Sequence, residues 1–245
     1  MKPAILALAA ALTLPLAACS QESLTDREFG RKVRAYLLEH PEVLQEVSQK
    51  LQEKQQAEGV KAAAAAIEKH RRALERDPDD FVANPNGKVT VVEFYDYNCG
   101  YCKQISPEVL ALIRDNPDVR FVFKEFVIFG ALSERAARAA LLAKDAGRFL
   151  PVHQALMAEK PLTEEAIDRI LRQNGVDPAR LDDPATTARL TPKLAKVQTL
   201  AASMSRQMTQ PYTIEGTPAF IVGDTLVPGA DIEALKAAIA RARGR

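Results

Sequence analysis

The run of apolar and polar positions divides the chain into three stretches. The first is a short apolar run, Ala4 to Leu16, behind Met1-Lys2-Pro3. It is too short to cross a bilayer comfortably as a helix. The second, from Gln21 to about Arg76, is highly charged. Its apolar residues Phe29, Val33, Tyr36, Leu37, Val43, Leu44, Val47 and Leu51 recur at steps of three and four. That spacing predicts helix with one apolar stripe. Thr25-Asp26-Arg27-Glu28 predicts its start as a capping box, and Pro41 predicts a division into two helices. Gly59 predicts a break before a further helix, Val60 to about Glu75, through the Ala-rich run Ala62 to Ala66. A stripe on so charged a segment has to be covered, either by the main domain or by copies of itself. Asp77-Pro78-Asp79-Asp80 predicts the end of this extension, residues 19–80.

The third stretch, residues 81–245, has a different period. Val89 to Tyr95 is a continuous apolar, β-branched run, which predicts a buried strand. A helix is predicted from Gly100 to Arg114, and Asn116-Pro117-Asp118 turns the chain into a second strand, Val119 to Val127. Strand, helix, strand opens a parallel βαβ unit. Helices are then predicted over Ser133 to Ala146, Phe149 to Glu159, Thr163 to Asn174 and Leu190 to about Met208, with Asp177-Pro178 as cap and first helical position. Pro218 to Val222, the turn Gly223-Asp224 and Thr225 to Val227 read as a hairpin, and Asp231 caps a closing helix, Ile232 to Ala242. The chain is therefore read as an α/β domain with a helical insertion over about residues 131–210 and an N-terminal α-helical extension.

The charge is nearly balanced, with 33 basic and 32 acidic residues. This argues against nucleic-acid or polybasic membrane binding, both of which need a large positive field. One lysine before a short apolar run marks residues 1–18 as an export signal. Its end, Leu16-Ala17-Ala18-Cys19, resembles a bacterial lipobox, which makes Cys19 the lipidated first residue of the mature protein. Ser20 in place of Asp points to the outer membrane. The plainer alternative is cleavage by the ordinary peptidase, with Cys19 incidental. Once Cys19 is assigned, only Cys99 and Cys102 remain of three cysteines. A lone C-x-x-C in an exported protein, with no disulfide framework around it, suits thiol–disulfide exchange.

Exchange needs one exposed thiolate and one nearby thiol to resolve the mixed disulfide. Two intervening residues bring both sulfurs to a helix start, where free N–H groups and the helix dipole favour the anion. Free thiols titrate near about 8.5, and such sites lower that to about 3.5–7.5. Cys99, directly after the strand, is the expected nucleophile, and Cys102, one turn on, the expected buried resolving thiol. The alternative is a metal site. Zinc takes four ligands and the motif supplies two, while His40, His70 and His153 are not at ligand spacing. Cu(I) can use two thiolates, and Met204 and Met208 fall on one face of the predicted helix, a spacing that serves a core equally well. No metal or other cofactor is expected.

Val91-Val92-Glu93-Phe94-Tyr95-Asp96-Tyr97-Asn98-Cys99-Gly100-Tyr101-Cys102 resembles the active-site segment of DsbA-like exported thiol–disulfide oxidoreductases. Gly216-Thr217-Pro218-Ala219-Phe220 resembles their cis-proline loop, and the likeness runs from about Phe81 to Ala242. The N-terminal helices resemble those of the ScsC-type group, whose members can oligomerise through them. The resemblance implies a thioredoxin-like fold with an inserted helical domain, and a redox-active disulfide between Cys99 and Cys102. It implies that a cis Pro218 sets the Thr217 backbone opposite the sulfurs. It also implies that Glu93 is a buried acid relaying a proton to the resolving cysteine. Lys124, on the second predicted strand, is the candidate partner for that acid. Expected partners are exported substrates with cysteines, a membrane redox partner that resets the dithiol, and further copies of the chain. Gly-Tyr between the cysteines and Thr217 before Pro218 resemble the isomerase DsbC more than the oxidase DsbA. The first reading is accordingly an envelope-side disulfide isomerase or reductase. A disulfide oxidase is the alternative, and a copper-binding or structural lipoprotein the second alternative.

Overall fold

A computed structural model describes residues 25–244, so the export signal and Cys19 lie outside the described residues. The chain divides into two compact units, up to Gln52 and from Glu53.

In the first unit, α1 spans Asp26–Glu39. The Thr25 N–H and hydroxyl both donate to the Glu28 carboxylate, at 3.2 and 2.9 Å. Pro41 separates α1 from α2, Glu42–Glu75. No residue from 25 to 52 is buried. Phe29, Tyr36 and Val47 are 60%, 55% and 58% exposed, so most of the stripe is open, with only Leu37 and Val43 half-buried.

The break expected at Gly59 does not occur, and α2 runs through it. Gly59 is buried, and a Cβ there would lie 2.8 Å from the Tyr212 ring. The glycine lets the Tyr212 ring approach the helix closely and does not break it. Beyond it, Ala63, Ala66, Ile67 and Leu74 pack in one apolar cluster with Val92, Phe94, Val122 and Ile221 of the sheet. Residues 53–80 therefore belong with the sheet, and the boundary expected at residue 80 falls instead at 52/53. The Asp77 to Asp80 segment is anchored by lysines. Lys124 donates to Asp80 and to the Ala73 carbonyl, Lys144 to the Pro78 and Asp79 carbonyls, and Lys193 and Lys196 pair with Asp79 and Asp77.

The sheet has five strands in the order β1-β3-β2-β4-β5. They are β1 (Phe81–Ala83), β2 (Val89–Tyr95), β3 (Val119–Glu125), β4 (Ala219–Val222) and β5 (Thr225–Pro228). β2 and β3 are parallel, joined through α3 (Gly100–Asp115), and the other pairs are antiparallel. β1 was not anticipated, because three residues are too few to show a period. Between β3 and β4 come α4 (Ala131–Asp145), α5 (Phe149–Ala158), α6 (Glu164–Gln173), a 3₁₀ turn (Pro178–Leu181) and α7 (Pro184–Ser205). α7 starts earlier than the expected Leu190, because Asp183 caps it by accepting the Thr186 N–H at 2.8 Å. It also stops before Met208, so Met204 and Met208 do not share a helix face, and both are buried in the core. α8 (Ile232–Arg243) closes the chain.

Side chains alternate across a strand, and here the two faces differ. Val91, Glu93 and Tyr95 of β2 share the face carrying Phe121 and Phe123, packed against α3, α4 and α5, whereas Val92, Phe94 and Val122 face α2 and α7. Among the described residues no helix is long and apolar enough to cross a membrane.

Candidate active site

β2 ends at Tyr95, and α3 starts at Gly100 with Cys99 as its N-cap. Asp96 holds the intervening turn. One carboxylate oxygen accepts the Asn98 N–H and the Ser133 hydroxyl, both at 2.7 Å. The other accepts the Ile128 and Phe129 N–H groups, at 2.8 and 3.2 Å. This one side chain thus ties the strand end to α4 and to the loop leaving β3.

Cys99 and Cys102 are unbonded thiols. Cys99 Sγ accepts the Cys102 N–H at 3.4 Å and, as a thiol, donates to the Thr217 carbonyl at 3.3 Å. The Thr217–Pro218 bond is cis. Hydrogen bonding from the Cys102 thiol pulls the Cys99 thiol down to about 6. Burial opposes it, and the Thr217 side chain and the N–H groups of Cys102 and Tyr101 assist. Cys102 is pushed above the usual thiol range, first by its bond to Cys99 and then by burial. The two thiols are thus unlike, but the exposure expected of Cys99 does not hold. Cys99 is only 2% exposed, against 1% for Cys102, because the Thr217–Pro218 segment lies across it.

Glu93 is wholly buried, and burial alone raises its carboxyl to about 8. Its charge pushes Cys102 up, and its Oε2 has no partner among the described residues. Lys124 is not that partner. Glu93 registers with Phe123, and Lys124 with Phe94, so the two project from opposite faces of the sheet, and Lys124 pairs with Asp80.

Sequence reasoning missed a second buried polar group. Glu125 accepts the Tyr95 hydroxyl at 2.5 Å and the Tyr97 hydroxyl at 3.4 Å, and Tyr97 lies 3.0 Å from His153 Nδ1. Burial drives His153 down to about 3, so its ring is neutral near pH 7, and burial also raises the Glu125 carboxyl well above its ordinary value, against the hydrogen bonds from Tyr95 and Tyr97. The signal was weaker than for Glu93, which stands inside an apolar run, because Glu125 follows Lys124 at the end of a strand that also carries Arg120. Lys103, directly after Cys102, is also buried, and its ammonium caps α5 through the Leu156 and Glu159 carbonyls at 2.9 and 2.7 Å. Among the described residues no group of three or more His, Cys, Asp or Glu is placed to hold a metal ion.

Comparison with known proteins agrees with this geometry. Residues 90–240 match the DSBA-like thioredoxin domain, and residues 27–58 match the N-terminal domain of the copper resistance protein ScsC. Disulfide bond formation protein D of Bacillus subtilis is 30% identical, over 62% of this chain and 71% of that one. A Na(+)/H(+) antiporter NhaA 3 of Salinispora tropica is 32% identical over 66% of this chain, but the chain spans only 25% of its length. The crystal structure of BcfH from Salmonella enterica Typhimurium superposes with a TM-score of 0.73 at 31% identity, covering 88% of this chain and 95% of that one. The chain therefore belongs to the DsbA-like thioredoxin-domain family, as a thiol–disulfide oxidoreductase of the DsbA/ScsC type with ScsC-type N-terminal helices.

Proposed function

We propose that the protein is an envelope-side disulfide isomerase and reductase that works as an oligomer. The observation that carries the reading is the pair of unlike thiols at the start of α3, Cys99 pulled down to about 6 and Cys102 held protonated behind it. The Cys99 thiolate attacks a substrate disulfide. That bond breaks, a Cys99–substrate disulfide forms, and the other substrate sulfur leaves as thiolate. In isomerisation the freed thiolate attacks elsewhere in the substrate, and Cys99 is released unchanged. In reduction Cys102 gives its proton to ionised Glu93 and attacks Cys99. The substrate leaves with two electrons and Cys99–Cys102 becomes a disulfide, which a membrane redox partner then reduces.

Isomerisation needs Cys99 to stay reduced in an oxidising compartment. Joining copies through the exposed stripe Phe29, Val33, Tyr36 and Val47 would shield each site and gather several around one substrate. The test is refolding of scrambled ribonuclease beside oxidation of the reduced enzyme. The whole chain is expected to be an oligomer by light scattering and to rescue the scrambled protein. Deleting residues 21–52, which leaves the second unit entire, should give a monomer that still reduces disulfides but loses the rescue. A monomeric whole chain, or a truncation that rescues equally well, refutes the reading.

An oxidase role is the second reading. A favoured Cys99 thiolate stabilises the dithiol, which makes the disulfide form the more oxidising partner. Faster oxidation of reduced ribonuclease than rescue of the scrambled form would select it.

For location we propose the periplasmic side of the outer membrane, with the anchor on Cys19; a similar structure is of a periplasmic thioredoxin-like protein from Salmonella enterica. The mature protein is expected to begin at Cys19 and to incorporate labelled fatty acid. Cys19→Ala should move it to the soluble envelope fraction, and a mature terminus elsewhere refutes the anchor.

A further inference from the structure

A groove of about 510 Å³ opens beside the reactive sulfur, lined by Tyr101, Thr217, Pro218, Asp231, Ile232 and Glu233 among others. A second hollow, on the other side of Thr217 and Pro218, includes Gln210 and Glu215. Neither is lined by a lysine, arginine or histidine. We propose that the first groove selects substrates with a lysine or arginine one or two residues from the reacting cysteine. The proposal rests on the thiol-exchange reading and adds a substrate class to it.

Four features of the lining suit a cationic side chain. Asp231 uses one oxygen to accept the Ala234 N–H at 2.8 Å, at the start of α8, and its other oxygen is free to meet a cation. Glu233 adds a second carboxylate, held at 2.7 Å by Lys236, which lies outside the lining. Tyr101 is 67% exposed and offers the ring face that attracts an ammonium or guanidinium group. Pro218 and Ile232 supply apolar surface for the aliphatic stem of such a side chain.

Distance fixes which substrate residue enters. The Thr217 carbonyl lies 3.3 Å from Cys99 Sγ, and Thr217 also lines the groove, so a peptide bonded to Cys99 passes close to it. An extended peptide advances about 3.3 Å per residue. A side chain one or two positions from the bonded cysteine is therefore within reach of the groove that Thr217, Tyr101 and Asp231 line. An acidic side chain there would meet two carboxylates and no lining cation.

The test uses symmetrical disulfides of the short peptide Ala-Cys-X-Ala, with X as Lys, Gln or Glu. Each is reacted with the reduced whole protein, and the mixed disulfide is counted by mass spectrometry after acid quenching. Rates are divided by those with 2-mercaptoethanol, to remove the intrinsic reactivity of each peptide. At low salt the Lys peptide is expected to react roughly tenfold faster than the Glu peptide, with Gln between, since exposed charge contacts are each worth a few-fold at most. The ratio should approach one in about 0.5 M salt, where screening shortens to roughly 4 Å. It should also approach one in Asp231→Asn/Glu233→Gln, because Asn still caps a helix while the charge is gone. A Lys-to-Glu ratio below about twofold in the wild type, or a ratio the double substitution leaves intact, overturns the proposal while leaving thiol exchange standing. If no peptide forms a mixed disulfide, the thiol-exchange reading itself falls, and this proposal with it.

Discussion

Replacing Cys99 with Ser is expected to abolish disulfide exchange, whereas Cys102→Ala should still make the first attack, with the Cys99 thiol raised by loss of the Cys102 hydrogen bond, and accumulate mixed disulfides with substrate. The two thiols share one hydrogen-bonded site but stand on opposite sides of the ordinary thiol range. Cys99 falls from 9.0 to about 6, and Cys102 rises. Near pH 7 about nine-tenths of Cys99 is thiolate, against about a hundredth of a free thiol that titrates at 9.0. A thiolate of lower pKa is also a weaker nucleophile, with a Brønsted slope of about 0.4–0.5, and this removes most of the advantage. Cys99 should therefore react with iodoacetamide about fourfold faster than a free thiol near pH 7 and about twentyfold faster near pH 6, with a plateau above that. Cys102 should react at least a thousandfold more slowly than Cys99. Mass spectrometry of the partly alkylated protein reads both sites at once. Equal labelling, with both rates rising through pH 8 to 9, would overturn the assignment.

How far this arrangement was legible in the sequence depended on how local its causes are. The C-x-x-C after an apolar strand, the Thr-Pro before another, and an acid inside an apolar run are local features, and Cys99, Cys102, Thr217, Pro218 and Glu93 follow from them. The order of β2, α3 and β3 was equally plain, because each is long enough to show its period. Features set by tertiary contact were not. Gly59 read as a helix breaker because its neighbour Tyr212 is far away in sequence, yet their packing is what requires glycine. The acidic run Asp77 to Asp80 read as a linker because the lysines that hold it lie on α4, α7 and β3. Nor does the sequence show that Lys124 and Glu93 lie on opposite faces, because the register between β2 and β3 sets this. The exposure of Cys99 was overestimated for the same reason, since the segment that covers it is contributed from Thr217.

Glu93→Gln should make the protein more stable and less able to complete its reaction, because the same burial produces both effects. The Glu93 carboxyl titrates at about 8 in the folded chain, against an ordinary value of 4.5, and burial is the only cause. A folded value above the unfolded one means that the folded state holds its proton more tightly. The contribution is thus fully present below about pH 4.5 and is lost progressively as pH rises through 8. At 1.36 kcal/mol per pH unit, the loss reaches about 3 kcal/mol near pH 7 and about 5 kcal/mol above pH 8. Gln has nearly the same shape and cannot ionise. Urea denaturation of the reduced protein should therefore show Glu93→Gln level with wild type near pH 4, about 3 kcal/mol more stable near pH 7, and more so near pH 9. The cost appears in resolution. Cys102 must lose a proton in a buried place, and ionised Glu93 is the base beside it. In the wild type, release of substrate from the Cys99 mixed disulfide should rise nearly tenfold per pH unit below 8 and then level, following the ionised fraction of Glu93. The substitution should slow release at least tenfold near pH 8 and remove that inflection, while the first attack by Cys99 keeps its own profile, centred on about 6. A merely structural Glu93 would change the stability curve and leave the inflection in place, so the pH profile of release decides between the two roles.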